Sequence, residues 1–385
     1  MFANLPSGWE QLPQQAVAKF YNGRAYKLKE WEDTGTPVIR LQNLTGSGNK
    51  FYYSKLKLPE HQYCVKGDLL YMWSATFGPH IWDGDRAIYH YHIWKVEQAH
   101  NKLDRTFHFF ILSHLTEQWK SGANGMAMLH LTKKGMEQLT IPVPPLPEQN
   151  RIAEILTAVD DSIHAGERVI EQAERVKKGL MEELLTGGLG SAAIERGEAP
   201  EGWALDRLSN SIDLISGQHV DSEFVNDAGI GTPYLTGPAD FIGLRPYATK
   251  YTESPKVMCR AGDILLTVKG SGAGKSVRSD GEYCISRQLM AVRPKRCESK
   301  WLEYVLYGLK ARLADTASGI IPGISRPDIL NYLVAIPPAY EQKRIASILT
   351  SVDDQIATER KHVEQQKRLK QGLMDDLLTG RVRTV

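Results

Sequence analysis

The segment Pro144-Pro145-Leu146-Pro147-Glu148-Gln149 occurs again, in related form, as Pro337-Pro338-Ala339-Tyr340-Glu341-Gln342, 193 residues later. The similarity continues without a gap until Leu184-Leu185-Thr186-Gly187 meets Leu377-Leu378-Thr379-Gly380. A repeat of this length at one fixed offset indicates two copies of the same structural plan. Each copy reads as a long helix that begins beside a proline, where the missing N–H costs little.

The repeat extends, more weakly, into the residues before each helix. Pro6-Ser7-Gly8-Trp9 recurs as Pro200-Glu201-Gly202-Trp203, and residues 64–70 recur as 259–265. The chain is therefore predicted to hold two divergent globular blocks, each followed by a helix, with a glycine-rich break between the copies. The predicted division is 1–146 (first block), 147–187 (first helix), 188–199 (linker), 200–338 (second block), 339–380 (second helix) and 381–385 (tail).

Apolar residues recur along both helices at spacings of four and three, which predicts a left-handed coiled coil. Each helix would be about 38 residues and on the order of 57 Å long. We expect the two helices to pair antiparallel, with the blocks at opposite ends and residue 1 near residue 385. The predicted fold class is α/β (α+β). The predicted seam residues are Ile152, Leu156, Val159, Ile163, Ile170, Leu180, Leu184, Ile345, Leu349, Val352, Ile356, Val363, Leu373 and Leu377.

Polar residues interrupt the middle of this seam, at Gly166, Lys177, Glu359, Gln366 and Lys370. Two interpretations stay open from the sequence. Either neighbouring apolar side chains, such as those of Val176 and Leu369, fill the gaps, or another subunit packs there.

Composition excludes several classes of protein. The chain has 385 residues, 42% of them hydrophobic and 24% charged, which is typical of a globular protein of two or three domains. The sequence contains no run of about 18 apolar residues, so no membrane span is predicted. The N-terminus lacks a secretory signal. Four cysteines without a CxxC pair predict buried free thiols in the cytoplasm rather than a zinc site or a disulfide framework.

Some local patterns resemble active sites but do not predict catalysis. Residues 270–276, Gly-Ser-Gly-Ala-Gly-Lys-Ser, resemble a phosphate-binding P-loop but have Lys269 where that loop needs glycine. A basic glycine-rich loop could still lay its N–H groups along a phosphate backbone. The proline pairs fit a hinge between block and helix better than a methyltransferase motif. The paired carboxylates at 160–161 and 353–354 read as surface charge or a docking patch, so neither a catalytic nor a metal site is predicted.

The blocks instead interleave aromatic, basic and amide residues, and the first block carries 21 of the 33 aromatic residues. Arginine suits guanine edges, and glutamine and asparagine suit adenine edges. Loops at equivalent places in the two blocks supply the candidate DNA-binding residues. In the first block these are Arg24, Lys27, Arg40, Gln42, Asn43, Ser74, Thr76 and His80. In the second block they are Gln218, His219, Lys269, Lys275, Arg278, Arg287, Gln288 and Ser318.

The chain contains two copies of the motif Pro-Pro-x-x-Glu-Gln-x-Arg-Ile-Ala, and each copy begins a helix that ends Gly-Leu-Met-x-x-Leu-Leu-Thr-Gly. In these motifs the chain resembles the specificity subunit of type I restriction-modification systems. The resemblance covers essentially the whole chain. It implies two target-recognition domains, here the two blocks, that each read one half of a split double-stranded DNA target. The helices would set the unread spacer, with half-sites about 34 Å apart facing one side of the duplex.

The same resemblance implies partners and no catalysis by this chain. Two methyltransferase subunits carrying S-adenosylmethionine would dock on the helices and methylate adenine, flipping the base into their own pocket. Restriction subunits that use ATP and magnesium would cut unmodified DNA. Two alternatives are weighed beside this one: a protein-protein scaffold with no nucleic acid partner, and a stand-alone restriction or modification enzyme. Missing methyltransferase and nuclease motifs argue against the second.

Overall fold

The computed structural model describes residues 5–121, 132–243, 245–270, 272–316 and 323–384. The chain divides into two compact units. Unit one consists of Met1–Glu167 and Lys361–Val385, and unit two of Arg168–Arg360. Each unit therefore holds one globular block, the start of the helix that follows it and the end of the other helix.

The first block is built mainly from short strands, because β-branched and aromatic residues recur between turn residues. Its strands are β1 (Glu10–Pro13), β2 (Ala18–Asn22), β3 (Thr36–Ile39), β4 (Tyr52–Ser54), β5 (Tyr63–Cys64), β6 (Leu69–Ser74), β7 (Thr76–Ile81), β8 (Ala87–Tyr89), β9 (Ile93–Gln98) and β10 (Thr140–Val143). Its helices are α1 (Leu41–Thr45), α2 (Arg105–Ser121) and α3 (Lys133–Gln138).

The long helix α4 (Leu146–Thr186) follows, and then α5 (Ser191–Glu195), which lies inside the segment predicted as a linker. The second block contains β11 (Ala204–Arg207), β12 (Ile212–Ser216), β13 (Val225–Asn226), β14 (Thr232–Leu235), β15 (Phe241–Ile242), β16 (Arg245–Pro246), β17 (Lys250–Thr252), β18 (Met258–Cys259), β19 (Ile264–Thr267), β20 (Ser276–Arg278), β21 (Tyr283–Ile285), β22 (Leu289–Pro294) and β23 (Leu333–Ile336). Its helices are α6 (Ser299–Thr316) and α7 (Arg326–Leu330), and the second long helix is α8 (Ala339–Leu377).

The two main sheets of each block have equivalent strand orders, with β13 as an additional edge strand in the second block, so the internal repeat includes the divergent regions. The strand orders are β2-β9-β6-β7 and β4-β3-β8-β5 in the first block. In the second block they are β12-β22-β19-β20 and β13-β17-β14-β21-β18. Each block has one parallel pair, β3 with β8 and β14 with β21, within otherwise antiparallel sheets. The predicted α/β (α+β) class with a twofold repeat is confirmed.

A helix packs against each block's sheet through residues one helical turn apart. In α2, Phe107, Ile111 and Leu115 are fully buried and contact the side of the sheet that carries Phe20 and Trp94. In α6, Trp301 and Val305 occupy the corresponding core of the second block. Burial of each such side chain contributes about 1.5–3 kcal/mol, so these helices fix the sheets.

The two long helices run antiparallel where they meet inside each unit. In unit one, Asp160 contacts Lys370 at 2.5 Å and Glu167 contacts Lys367 at 2.9 Å. Unit two repeats the arrangement through Lys177 and Asp353 at 2.6 Å and through Glu174 and Arg360. The predicted seam residues are buried or half-buried. Their docking role and the placement of the blocks at opposite ends stay predictions.

Two of the polar seam positions, Lys177 and Lys370, have an explanation other than filling by neighbouring apolar side chains. Val176 and Leu369 are 46% and 50% exposed, so they do not fill the gaps. Lys177 and Lys370 instead reach the first aspartate of each carboxylate pair on the facing helix. The interpretation of Asp160 as solvated surface charge was therefore wrong, because its side chain is 19% exposed and paired. Asp353 is also paired, but its side chain is 37% exposed. Asp161 and Asp354 are exposed, as expected.

We expect Lys370→Ala to lower the free energy of unfolding by about 1–2 kcal/mol, because Asp160 would lose a charged partner in a partly buried position. The two side chains are only 25% and 19% exposed. Arg151→Ala is the control, since the Arg151–Glu154 pair is 61% and 67% exposed and such pairs contribute little. Urea denaturation of both variants measures the difference. Equal losses would show that the seam pair adds nothing.

The two ends of the chain meet in unit one, which confirms that expectation as far as the described residues reach. Gly380 packs against Pro6 and Trp9, and the Arg383 guanidinium donates to the Ser7 carbonyl at 3.2 Å. In unit two the repeat places Gly187 against Pro200 and Trp203 in the same way. In unit one the end of the second copy thus packs against the beginning of the first copy. In unit two the end of the first copy packs against the beginning of the second.

The four cysteines are free, as predicted, and Cys64, Cys259 and Cys284 are buried. Burial raises the pKa of the Cys64 thiol to about 12, so this thiol is protonated and unreactive at neutral pH. Cys297 is partly buried. The cysteines are therefore packing residues.

Candidate nucleic-acid interface

The turn that joins β8 to β9, residues 90–92, is held by backbone hydrogen bonds from three neighbouring segments. The His90 N–H donates to the Ile39 carbonyl at 2.9 Å, and the Trp73 N–H donates to the His92 carbonyl at 3.2 Å. The Gly23 N–H donates to the Ile93 carbonyl at 3.1 Å. We call residues 90–92 the first turn.

The second block holds residues 286–288, the second turn, in the same frame. The Ser286 N–H donates to the Leu235 carbonyl at 2.9 Å, and the Val268 N–H donates to the Gln288 carbonyl at 2.8 Å. The Gly217 N–H donates to the Leu289 carbonyl at 3.0 Å. Each turn therefore presents its side chains from a backbone fixed on both sides.

Glycine is required where the chain crosses under each turn. A Cβ atom at Gly23 would lie 2.2 Å from the His90 carbonyl oxygen, and one at Gly217 would lie 2.2 Å from that of Ser286. Both distances are shorter than any real Cβ contact, so a larger residue would displace the turn. The residues that follow, Arg24 and Gln218, donate backbone N–H groups to Tyr89 and Ile285.

An aromatic surface surrounds the first turn. We define it as Trp31, Tyr52, Trp73, His90, Tyr91 and His92. The ring centroids of Tyr91 and His92 are 3.8 Å apart, and those of Trp73 and His92 are 5.7 Å apart. Trp31 connects to Tyr52 at 4.7 Å and to His90 at 6.2 Å. The rings thus form one continuous, partly exposed patch.

The imidazoles of this surface are neutral at neutral pH. Burial, aided by the charges of His92 and Arg40, lowers the pKa of His90 to about 4. Burial and Arg40 also lower the pKa of His92. A neutral imidazole offers one donor and one acceptor. The Arg40 guanidinium, 5.3 Å from the Tyr52 ring centroid, supplies the positive charge.

Of the predicted residues in the first block, Arg24 and Arg40 lie beside the first turn, but Arg24 is already paired. Its guanidinium contacts Glu30 at 2.5 Å and covers the Tyr26 ring at 4.6 Å. This pairing raises the pKa of Arg24. The hydrogen bond from the Lys27 N–H, followed by the pairing with Arg24, lowers the pKa of Glu30. The Lys27 side chain is exposed.

Asn43 has a local structural role. Its side-chain oxygen accepts the Arg40 N–H at 2.9 Å at the start of α1, and its amide donates to the Gly48 and Lys50 carbonyls. An amide with all these partners is poorly placed to read a base. Gln42 is half-buried beside Gly48.

Ser74, Thr76 and His80 lie on the β6–β7 hairpin. Ser74 and Thr76 face each other across its tip, next to Trp73 of the aromatic surface. His80 is farther down β7, opposite Leu70, and burial lowers its pKa. The hairpin tip therefore reaches the surface, whereas His80 lies within the sheet.

In the second block, Gln218, His219, Arg287 and Gln288 are exposed around the second turn. Among the described residues no hydrogen bond or ion pair engages the Arg287 guanidinium. Gln288 lies against Gly237, where a Cβ atom would come within 2.5 Å of its side-chain oxygen. These four predicted residues do converge.

The glycine-rich segment joins β19 to β20, so a strand and not a helix follows it, unlike a P-loop. Lys269 and Lys275 are exposed on it. Arg278 is instead fixed to α6, with donation to Glu303 at 2.7 Å and to Ser299 at 2.9 Å. Ser318 lies outside the described residues.

The sequence did not identify the aromatic members of the first turn and its surroundings. The internal repeat could have identified them, because Tyr91 and His92 occupy the positions in the first block that Arg287 and Gln288 occupy in the second. The offset there is 196 residues instead of 193, so a gapless alignment misses the correspondence.

Neither a metal site nor a membrane helix is found in the ranges that the structure describes. There, no three side chains of the His, Cys, Asp and Glu types are grouped to bind an ion. No helix of those ranges combines the length and apolar character needed to cross a membrane.

The sequence matches the family model for the type I restriction modification DNA specificity domain twice, at residues 6–175 and 200–367. It is 28% identical over 410 residues to the type I restriction enzyme MjaVIII specificity subunit of Methanocaldococcus jannaschii, covering 98% of this chain and 94% of that protein. A chain solved in work on complex assembly and conformational transition of the type I R-M system has a TM-score of 0.66 at 23% identity, with 99% of this chain and 100% of that chain covered. The S subunit of a type I restriction-modification system from M. genitalium has a TM-score of 0.58 at 14% identity, with 97% and 96% covered.

Proposed function

Because the chain belongs to the type I restriction-modification DNA specificity family, we propose that its two blocks each bind one half of a bipartite DNA target through the surfaces around the first and second turns. The observation that carries this proposal is the shared frame. Equivalent backbone hydrogen bonds hold both turns, yet the side chains on them differ completely. A fixed frame with exchangeable side chains suits two readers of different sequences.

The side chains divide into two kinds of contact. Lys269 and Lys275, on a glycine-rich loop beside the second turn, suit phosphate oxygens because a lysine ammonium binds phosphate as a point charge. Arg287 and Gln288 have the donor geometry that reads guanine and adenine edges. Phosphate contacts would set the position of the duplex, and base contacts would select its sequence.

The long helices are the proposed docking sites for two methyltransferase subunits. In unit two, a groove of about 880 Å³ is lined by apolar residues that include Val169 and Ile170 of α4 and Ile356 of α8, and also by polar and charged residues that include Lys300 and Asp354. Val169 and Val176, seven residues apart on α4, are 54% and 46% exposed. Exposed apolar residues at this spacing suit contact with another helix.

We propose that this chain catalyses no reaction and acts in the cytoplasm. S-adenosylmethionine, ATP and magnesium would be held by the methyltransferase and restriction subunits. The helices would fix the spacer between the two half-sites.

The test is to sequence the methylome of a clean host that expresses this chain with its cognate methyltransferase subunit. We expect a split adenine-methylated motif in which exchange of residues 1–146 for another member's block changes one half only. A stable complex that adds no methylation would overturn the proposal. Retention of both halves after the exchange would also overturn it.

Lys269→Ala and Lys275→Ala should weaken binding to all DNA sequences alike and reduce the slope of log affinity against log salt by about one unit each. Lys295→Ala is the matched control, because Lys295 follows the far end of β22 and is paired with Asp213 at 2.7 Å. Fluorescence anisotropy of the assembled complex across a salt series measures the slope. An unchanged slope in the two loop variants would remove these lysines from the interface.

A further inference from the structure

We infer that the first and second turns determine specificity and read by different chemistry: apolar contact with a thymine methyl group in the first block, and hydrogen bonding to a guanine edge in the second. This inference rests on the proposed function. It goes further in assigning a base type and a recognition mode to each half-site.

Burial along the two turns shows where sequence can vary without harm to the fold. Tyr89 and Ile93, which flank the first turn, are fully buried, and so are Ile285 and Leu289 around the second. Between them, Tyr91 is 38% exposed, and Arg287 and Gln288 are exposed. The flanks anchor each turn in the core, so only the side chains between them are free to meet a ligand.

The second turn carries hydrogen-bonding groups with little competition from the protein. Two other arginines of this block are bound internally: Arg293 forms two hydrogen bonds with Asp263, and Arg326 donates to Leu214 and Ser216. Among the described residues nothing binds the Arg287 guanidinium in this way, so its planar fork is available there. Such a fork pairs with the O6 and N7 atoms of guanine in the major groove.

The first turn offers ring faces and edges instead. Trp73 donates its indole N–H to the Tyr91 carbonyl at 2.9 Å, so the indole has no donor left for DNA. The Tyr91 and His92 rings pack at 3.8 Å and hold each other in place. With His90 and His92 neutral, the turn itself carries no formal charge. Each neutral imidazole keeps its donor and acceptor at the ring edge, whereas the ring faces carry no hydrogen-bonding group. These faces fit the C5 methyl group of thymine, which is the apolar feature of the major groove.

The test uses the assembled complex and duplexes that contain its methylome-defined target. Deoxyuridine, which lacks the methyl group, replaces each thymine of the first half-site in turn. Separately, 7-deazaguanine, which lacks N7, replaces each guanine of the second. One replacement of each kind should weaken binding by wild type about 10-fold. The same replacement should have no effect on the Tyr91→Ala variant or the Arg287→Ala variant, respectively.

Matched variants distinguish the loss of base recognition from the loss of the folded structure. Tyr91→Phe keeps the ring and should stay sensitive to deoxyuridine. Arg260→Ala removes an exposed arginine before β19, at the strand end remote from the second turn, and should stay sensitive to 7-deazaguanine. In every variant the unaltered half-site should respond as in wild type, which shows that the complex is intact.

Failure of the inference is distinct from failure of the proposed function. If wild type binds no specific target, the proposed function fails. If wild type binds its target but no replacement alters the affinity, the recognition chemistry is wrong. A first half-site without an A·T pair, or a second without a G·C pair, overturns the inference directly.

Discussion

Replacement of Glu148 by alanine should lower the free energy of unfolding by about 3 kcal/mol, because this carboxylate joins three separate parts of unit one. It lies in the first turn of α4 and is 1% exposed. The Trp9 indole donates to it at 3.0 Å, and the Arg383 guanidinium donates to it twice, at 2.6 and 2.8 Å. Alanine would leave the indole and the guanidinium without their acceptor.

The ionised form of Glu148 is the one that the fold stabilises. Burial by itself would raise the pKa of the carboxyl, but the Arg383 and Trp9 hydrogen bonds outweigh it and hold the pKa below its ordinary value. A group whose pKa is lower in the folded state stabilises above its unfolded pKa and loses that contribution as pH falls. The difference between wild type and Glu148→Ala should therefore shrink below about pH 4.

The repeat supplies the control. Glu341 occupies the equivalent position in α8 and forms an ion pair with Arg344 at 3.7 Å on the same helix. Glu341→Ala should cost less than about 1 kcal/mol. Removal of residues 381–385, and with them Arg383, should reproduce part of the Glu148→Ala loss. Equal losses at Glu148 and Glu341 in urea denaturation would show that the closure of the chain ends adds no stability.

The sequence predicted the fold well where the same segment occurs in both copies of the repeat. Helices α4 and α8, with the proline before each, follow from the repeated segment itself. The charge pairs across the seam were not foreseen, because a heptad reading treats Lys177 and Lys370 as defects of an apolar stripe. Only the antiparallel register brings each lysine opposite Asp353 or Asp160. Register depends on tertiary packing, which a single helix does not encode.

The site was predictable in part. Residue chemistry selected Arg287 and Gln288, which lie exposed on the second turn and whose role in DNA binding stays a prediction. It also selected Asn43 and Arg278, whose side chains are bound within their own block. Chemistry alone cannot distinguish a donor aimed at solvent from one used for capping or helix attachment. The aromatic surface was missed for the opposite reason, since tyrosine and tryptophan are usually core residues. Here backbone bonds from Gly23 and Ile39 fix the turn that exposes Tyr91.

A pH-dependent loss of stability is expected from His108, which is fully buried on α2. Its Nε2 atom lies 2.8 Å from the Gln14 side-chain oxygen, and its Nδ1 atom lies 3.2 Å from the Gln98 amide nitrogen. This pattern suits the neutral ring, with Nε2 as donor and Nδ1 as acceptor. Protonation would set a new N–H at Nδ1 against an amide that is itself a donor. Burial lowers the pKa of His108 to about 3.

The direction of the pH dependence of stability follows from the protonation of His108 in the folded and the unfolded chain. The unfolded chain binds a proton at this residue near pH 6.5 and the folded chain does not, so stability is full above that pH and falls below it. Between pH 6.5 and 4.5 the contribution of this group should decrease by about 2 kcal/mol. His108→Gln removes the titration, so its unfolding free energy should depend less steeply on pH than that of wild type by that amount. His100→Gln, which replaces an exposed histidine by the same residue, glutamine, is the matched control. Urea denaturation at several pH values measures the slopes, and identical slopes for wild type and His108→Gln would mean that the buried ring is protonated in the folded protein.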